Sequence, residues 1–245
     1  MDFLNSALKL AETLTATPHW GALAFSIIAV LFWTRIGPSV QLSKVAAWLG
    51  VVVGCGAHSV INQRVSPAID RTVNDLVGYI SDRLNIVFSY ELANVPTVLG
   101  QSSGQQFVLL ISILLVMFFL GFRNDRESVL ATGQGVAIGL ALMEGQQVVG
   151  PLLINPVDSS MTVPLLKNMF VVAAYIATGL ILARSWIDGC YARNFFLAIM
   201  FQAALSYMYV PDVLNWPPGV ILAVYAALAF LGFLISGSMA MARVR

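Results

Sequence analysis

Long apolar runs separated by short clusters of charge dominate the pattern along this chain. Read between the charges, they predict helices at Trp20 to Thr34, Lys44 to Ile61, Gly104 to Phe122, Ser128 to Leu152, Leu166 to Trp186, Asn194 to Val210 and Gly219 to Ala242. All but the first, which is short and could be extended by the preceding segment, are close to the roughly 20 residues an α-helix needs to cross about 30 Å of hydrocarbon. The fold class expected is all-α: a polytopic transmembrane helix bundle of about seven spans, forming one integral membrane domain over residues 1–245.

Two stretches are amphipathic rather than uniformly apolar. Phe3, Leu4, Ala7, Leu8, Ala11 and Leu14 recur at helical spacing opposite Asn5, Ser6, Lys9 and Glu12, which predicts a short interfacial helix within residues 1–17. Residues 62–103 read as one long external loop. Inside it Ile69, Val73, Leu76, Val77, Ile80, Leu84 and Val87 mark one face of a second interfacial helix, with Asp70, Arg71, Asp75, Asp82 and Arg83 mainly elsewhere.

Pro18, Pro38, Pro67, Pro96, Pro151, Pro156, Pro164, Pro211, Pro217 and Pro218 all read as ends or loops, so the spans are expected to be unbroken. Trp20, Trp33, Trp186, Tyr209 and Trp216 stand near predicted span ends, where amphipathic rings anchor at the membrane interface.

Composition supports the pattern. Charged residues make up 10% of the chain, against about 25% in a soluble domain, and the mean hydropathy is +0.82. A net charge of +1 without a basic block argues against nucleic-acid binding. The two cysteines, Cys55 and Cys190, indicate neither a disulfide framework nor a metal site, and His19 and His58 are too few for a pair of haems. No metal or cofactor is expected. The amino terminus has no basic region before its first apolar run, so no cleaved signal peptide is expected.

Orientation follows from short-loop Lys and Arg. Arg35, Lys44, Arg123, Arg126, Arg184, Arg193, Arg243 and Arg245 fall on one side, which predicts an external amino terminus and a cytoplasmic carboxy terminus. Compactness and short loops suggest a bacterial cytoplasmic (inner) membrane.

Candidate chemistry is sparse. Gly135 and Gly139 form a Gly-x-x-x-Gly step, Gly133, Ala137 and Ala141 line the opposite face of the same run, and Gly50 and Gly54 repeat the device in the second run. Small residues on two faces predict a central helix approached closely on both sides. Glu144 is the only acidic residue well inside a run, and burying its charge in hydrocarbon would demand water, a partner or a proton. His58, Asn62, Gln105, Gln106, Gln147, Lys167 and Asn168 map to the same outer zone, where His58 or Lys167 would tune Glu144; Gln202 and Ser206 add a polar stripe. The alternative for this set is a hydrogen-bonded knot tying helices together.

Gly100-Gln101-Ser102-Ser103-Gly104 fits the Gly-x-Ser-x-Gly pattern, but a nucleophile elbow needs a strand before the turn, which this chain does not provide. Ser102 with Gln105, and Ser103 with Gln106, read instead as capping boxes opening the third span. The scarcity of catalytic groups predicts a non-catalytic subunit or scaffold of a larger membrane assembly, of the secretion, conjugation or energy-converting kind. Its expected partners are the lipid bilayer and either other proteins or further copies of itself. The alternatives are a small-solute or ion transporter using Glu144, and a membrane-embedded enzyme acting on a lipid-linked substrate.

Overall fold

The computed structural model describes residues 20–36, 44–119, 121, 125–154, 162–208 and 215–241. The amphipathic segment within residues 1–17 lies outside them. Among the described residues the chain is helical throughout, apart from short turns. The helices are α1 (Trp20–Ile36), α2 (Val45–Val60), α3 (Ser66–Leu84), α4 (Tyr90–Phe119), α5 (Arg126–Ile154), α6 (Thr162–Asp188), α7 (Tyr191–Tyr207) and α8 (Pro218–Met241), with a π-helical turn at Ile61–Val65 between α2 and α3. Four helical stretches are long and apolar enough to cross a membrane: Val45–Leu84, Tyr90–Phe119, Val163–Asp188 and Pro218–Ser236. That is the architecture of an integral membrane bundle. Large apolar side chains such as Ile28 and Leu31 on α1, Trp48 and Val52 on α2, Phe107 on α4 and Leu234 on α8 face outward, as a lipid-facing surface requires.

Helix α5 is the axis of the bundle. Residues 131–140 are all buried, because small residues let a neighbour approach on either side. A Cβ placed on Gly50 of α2 would come within 2.8 Å of the Thr132 carbonyl oxygen of α5, and one on Gly54 would strike the Val136 backbone. Reciprocally, a Cβ on Gly135 would strike the Ala47 backbone and one on Gly139 the Val51 carbonyl. Contacts therefore advance together along α2 and α5, so the two helices run parallel. On its other side α5 meets α6 antiparallel, where a Cβ on Gly133 would come within 2.6 Å of the Gly179 carbonyl oxygen. Such seams form because, without a hydrophobic drive between helices in lipid, backbone approach and van der Waals contact supply the association.

The stretch expected to be a loop holding one amphipathic helix is helical over almost its whole length. Helix α2 passes through the π-turn into α3 without a break, forming a 40-residue helical segment about 60 Å long at 1.5 Å per residue. Asn85 ends α3 in a left-handed conformation with φ 51°, as C-terminal caps commonly do. Helix α4 then begins at Tyr90, well before the predicted start at Gly104. Residues 62–103 thus form a helical hairpin. Its two arms pack through Val65, Ile69 and Val73 against Gly100 and Gly104. Polar residues in this segment concealed its helical continuity from a reading based on apolar runs.

Three further expectations are corrected. Pro96 lies inside α4, whereas Pro67 stands in the first turn of α3 and Pro151 in the last turn of α5, both at helix ends as expected. A proline lacks an amide donor and its ring crowds the carbonyl four residues earlier, which for Pro67 is that of Gln63 in the π-turn. Ser102 and Ser103 are mid-helix rather than caps: Ser102 is buried and Ser103 Oγ donates to the Leu99 carbonyl at 2.7 Å. Trp33 is no interface anchor. It is 3% exposed, its Nε1 donates to the Met169 carbonyl at 2.7 Å, and its ring packs against Phe32, Phe170, Phe230 and Phe233.

At the end of the bundle away from the hairpin, Asp125 caps α5. Its carboxylate accepts from the backbone N–H of Glu127 at 3.2 Å and of Ser128 at 3.3 Å, and also from the Ser128 hydroxyl. Lys44, just before α2, pairs with Asp125 and Glu127, each at 2.9 Å. This clasp holds the starts of the two parallel helices together.

Candidate functional site

Where the parallel pair reaches the hairpin end, the seam turns from glycine to polar. His58 and Asn62 lie one helical turn apart on α2 and the π-turn; Glu144 and Gln147 lie three residues apart on α5. The parallel register brings them face to face. His58 Nε2 stands 3.2 Å from Glu144 Oε2, and Asn62 Nδ2 donates to Gln147 Oε1 at 2.6 Å. Asn62 Nδ2 also lies 3.2 Å from His58 Nε2 and 3.5 Å from Nδ1. His58 is buried, whereas the Glu144 side chain keeps 24% of its surface.

That remaining surface opens into a cavity of about 340 Å³ between the helices. Asn62, Ser66 and Ile61 come to it from the π-turn and the start of α3; Tyr90, Val98, Gln101 and Gln105 from α4; Glu144 from α5; Val171 and Tyr175 from α6; Gln202, Leu205 and Ser206 from α7. The volume falls at the low end of the range for small-molecule sites. Among the described lining residues, Glu144 carries the only formal charge.

Neighbours fix the polar walls. Gln105 Nε2 donates to the Tyr175 hydroxyl at 2.5 Å, and Gln101 Nε2 donates to Asp70 Oδ1 on α3 at 2.6 Å. The π-turn matters here, because π-bulges rotate the following side chains relative to an α-helix and often occur at functional sites; this one carries Ile61 and Asn62 to the cavity.

The residues singled out by sequence divide into groups. Glu144 and Gln202 share the cavity, His58 backs Glu144, and Gln147 holds Asn62. Lys167 is elsewhere: its ammonium lies 5.3 Å from the centre of the Tyr225 ring on α8, and it does not line the Glu144 cavity. Asn168 faces Gly145 and Gln106 is buried outside the lining. Gly50, Gly54, Gly135 and Gly139 build the seam that aligns the polar pair. Sequence reasoning did not single out Tyr90, Gln101 or Tyr175. The first two lay in the supposed loop. Tyr175 sat in an apolar run where its ring read as core, although a buried phenol needs a partner for its hydroxyl.

Among the described residues no group of three or more His, Cys, Asp or Glu side chains stands ready to hold a metal ion. The chain matches no family model, no curated protein and no solved structure.

Proposed function

We propose that this protein binds a small polar solute in the Glu144 cavity and moves it across a membrane. The observation that carries this reading is the convergence of six helical elements on one polar cavity whose carboxylate is backed by a histidine. A polar cavity lined from so many helices is costly in a membrane bundle unless water or a ligand occupies it. A mere knot of hydrogen bonds would close on itself and leave no such volume. In this reading α1, α2, α4, α5, α6, α7 and α8 are seven spans, with the Lys44–Asp125 clasp cytoplasmic, the hairpin external and the amino terminus outside. The excess of Arg and Lys at the clasp end supports that orientation. The host is a bacterial inner membrane.

The test is reconstitution of the full chain into proteoliposomes on a solid support, with currents recorded on concentration jumps of amines, amides, sugars, carboxylates and alkali salts. A saturable current from one class, abolished in Glu144→Gln, is expected. Absence of current from every class ends the transport reading.

The projecting hairpin favours a second reading, a scaffold subunit of a larger assembly. Helix α3 has no buried residue, and Leu76, Tyr79, Leu84 and Val87 are exposed. Native mass measurement after gentle extraction into nanodiscs decides it: a defined hetero-complex supports a subunit, and a lone chain removes the support.

A further inference from the structure

We infer that the ligand of the Glu144 cavity is a small organic cation carrying N–H donors, an ammonium or guanidinium group on a short apolar stem. The hydrogen-bonding groups of the cavity wall point to this class. Three amides on the wall have already committed a donor hydrogen to the protein: Asn62 Nδ2 to Gln147, Gln101 Nε2 to Asp70, and Gln105 Nε2 to Tyr175. Asp70 as a carboxylate only accepts, which fixes the Gln101 amide with its nitrogen outward and its oxygen the other way. What these amides leave is their oxygens and one further N–H each. No bond to Asn62 Oδ1, Gln101 Oε1, Gln105 Oε1 or Glu144 Oε1 occurs among the described residues. The wall therefore offers four open acceptor oxygens and one negative charge beside hydroxyls that can turn either way, and a cation carrying N–H donors satisfies both.

An anion would meet the Glu144 carboxylate with no Lys or Arg among the described lining residues to offset it. A bare metal ion is disfavoured by size. The 340 Å³ cavity has room for about ten waters at ~30 Å³ each, and oxygens spread over helices on several sides would not close around a single dehydrated ion. The lining also includes apolar side chains, with Val98, Val171 and Leu205 available to an alkyl stem. Gln202 adds adjustability: its oxygen is sealed in the protein without a partner, so no neighbour fixes which end of its amide faces the ligand.

Because this assignment rests on the same cavity as the transport reading, binding is measured apart from flux. The full chain in nanodiscs is titrated by calorimetry with methylguanidinium, its neutral near-isostere methylurea, ethylammonium, acetate, and sodium or potassium chloride. Methylguanidinium should bind at least ~10-fold tighter than methylurea, since a charge-assisted pair in a desolvated site is worth that much. Glu144→Gln should erase the difference, and Gln202→Glu, which adds a second carboxylate, should widen it; size exclusion and circular dichroism verify that both variants fold. Equal binding of methylurea, binding of acetate, binding of alkali ions alone, or no binding of any probe overturns the assignment. Cation binding without flux keeps it and rejects transport, whereas flux of another solute class without cation binding does the reverse.

Discussion

His58 Nε2 lies 3.2 Å from Glu144 Oε2, one turn beyond the last glycine contact that holds α2 against α5. The glycine seam sets the distance between the parallel backbones, and that distance lets an imidazole and a carboxylate meet rather than pass. Removing His58 would leave Glu144 without its histidine partner. His58→Ala is expected to cost about 1–3 kcal/mol, the usual penalty for orphaning a partly buried polar group, and His58→Gln to recover part of it. A double-mutant cycle with Glu144→Gln, read by thermal unfolding in detergent, should give a coupling of about 1 kcal/mol; additive effects would show that the pair is not energetically joined.

Gly54 and Gly56 stand two residues apart on α2 and make opposite predictions. A Cβ on Gly54 would strike the Val136 backbone, whereas one on Gly56 meets nothing within 4 Å. Gly54→Ala should force the helices apart and lower stability by about 1–3 kcal/mol. Gly56→Ala should be neutral or stabilise by up to ~1 kcal/mol, because glycine is a poor helix former. Parallel denaturation of the two variants checks the seam, and equal effects would place it elsewhere.

The clasp at the other end gives a pH dependence of known sign. The Asp125 carboxyl is held down to about 2, from 3.8, first by the Ser128 hydroxyl and then by Lys44. A depressed carboxyl pKa contributes stability fully above the unfolded value and loses it as pH falls from about 4 towards 2. Lys44 is raised above 10.5, first by Glu127 and then by Asp125, so its contribution is complete below that value and fades as pH rises past it. Both side chains are exposed enough for salt to screen them. Asp125→Ala should therefore lower the melting temperature at pH 7 by more than at pH 2, with the gap between variants flat from about pH 5 to 9. A gap that grows on acidification would contradict the clasp.

Tyr175 and Gln105 separate binding from folding. Tyr175→Phe removes the hydroxyl that accepts from Gln105 Nε2 and frees that amide to turn a donor into the cavity. The acceptor-rich wall is then weakened, and methylguanidinium affinity should fall several-fold while stability changes by about 1 kcal/mol, as for one neutral hydrogen bond. A purely structural role would show the reverse proportion.

The apolar pattern by itself determined that this chain makes helices fit for a bilayer, because a residue facing lipid or a packed neighbour must be apolar and the run length records the thickness crossed. It also exposed the small-residue faces of α2 and α5, since close backbone approach leaves its mark at single positions such as Gly54 and Gly135. Tertiary structure alone decided the rest. A polar residue in an apolar run announces that it needs a partner without naming it, and helix rotation and register choose which. So Glu144 met His58 and shares its cavity with Gln202 while Lys167 turned to Tyr225, and Trp33 went into the core. Residues 62–103 carried too much charge and polarity to read as part of long helices. They became helical because α3 and α4 pack on each other through Ile69 and Gly100, a contact between positions thirty-one residues apart that no local periodicity encodes.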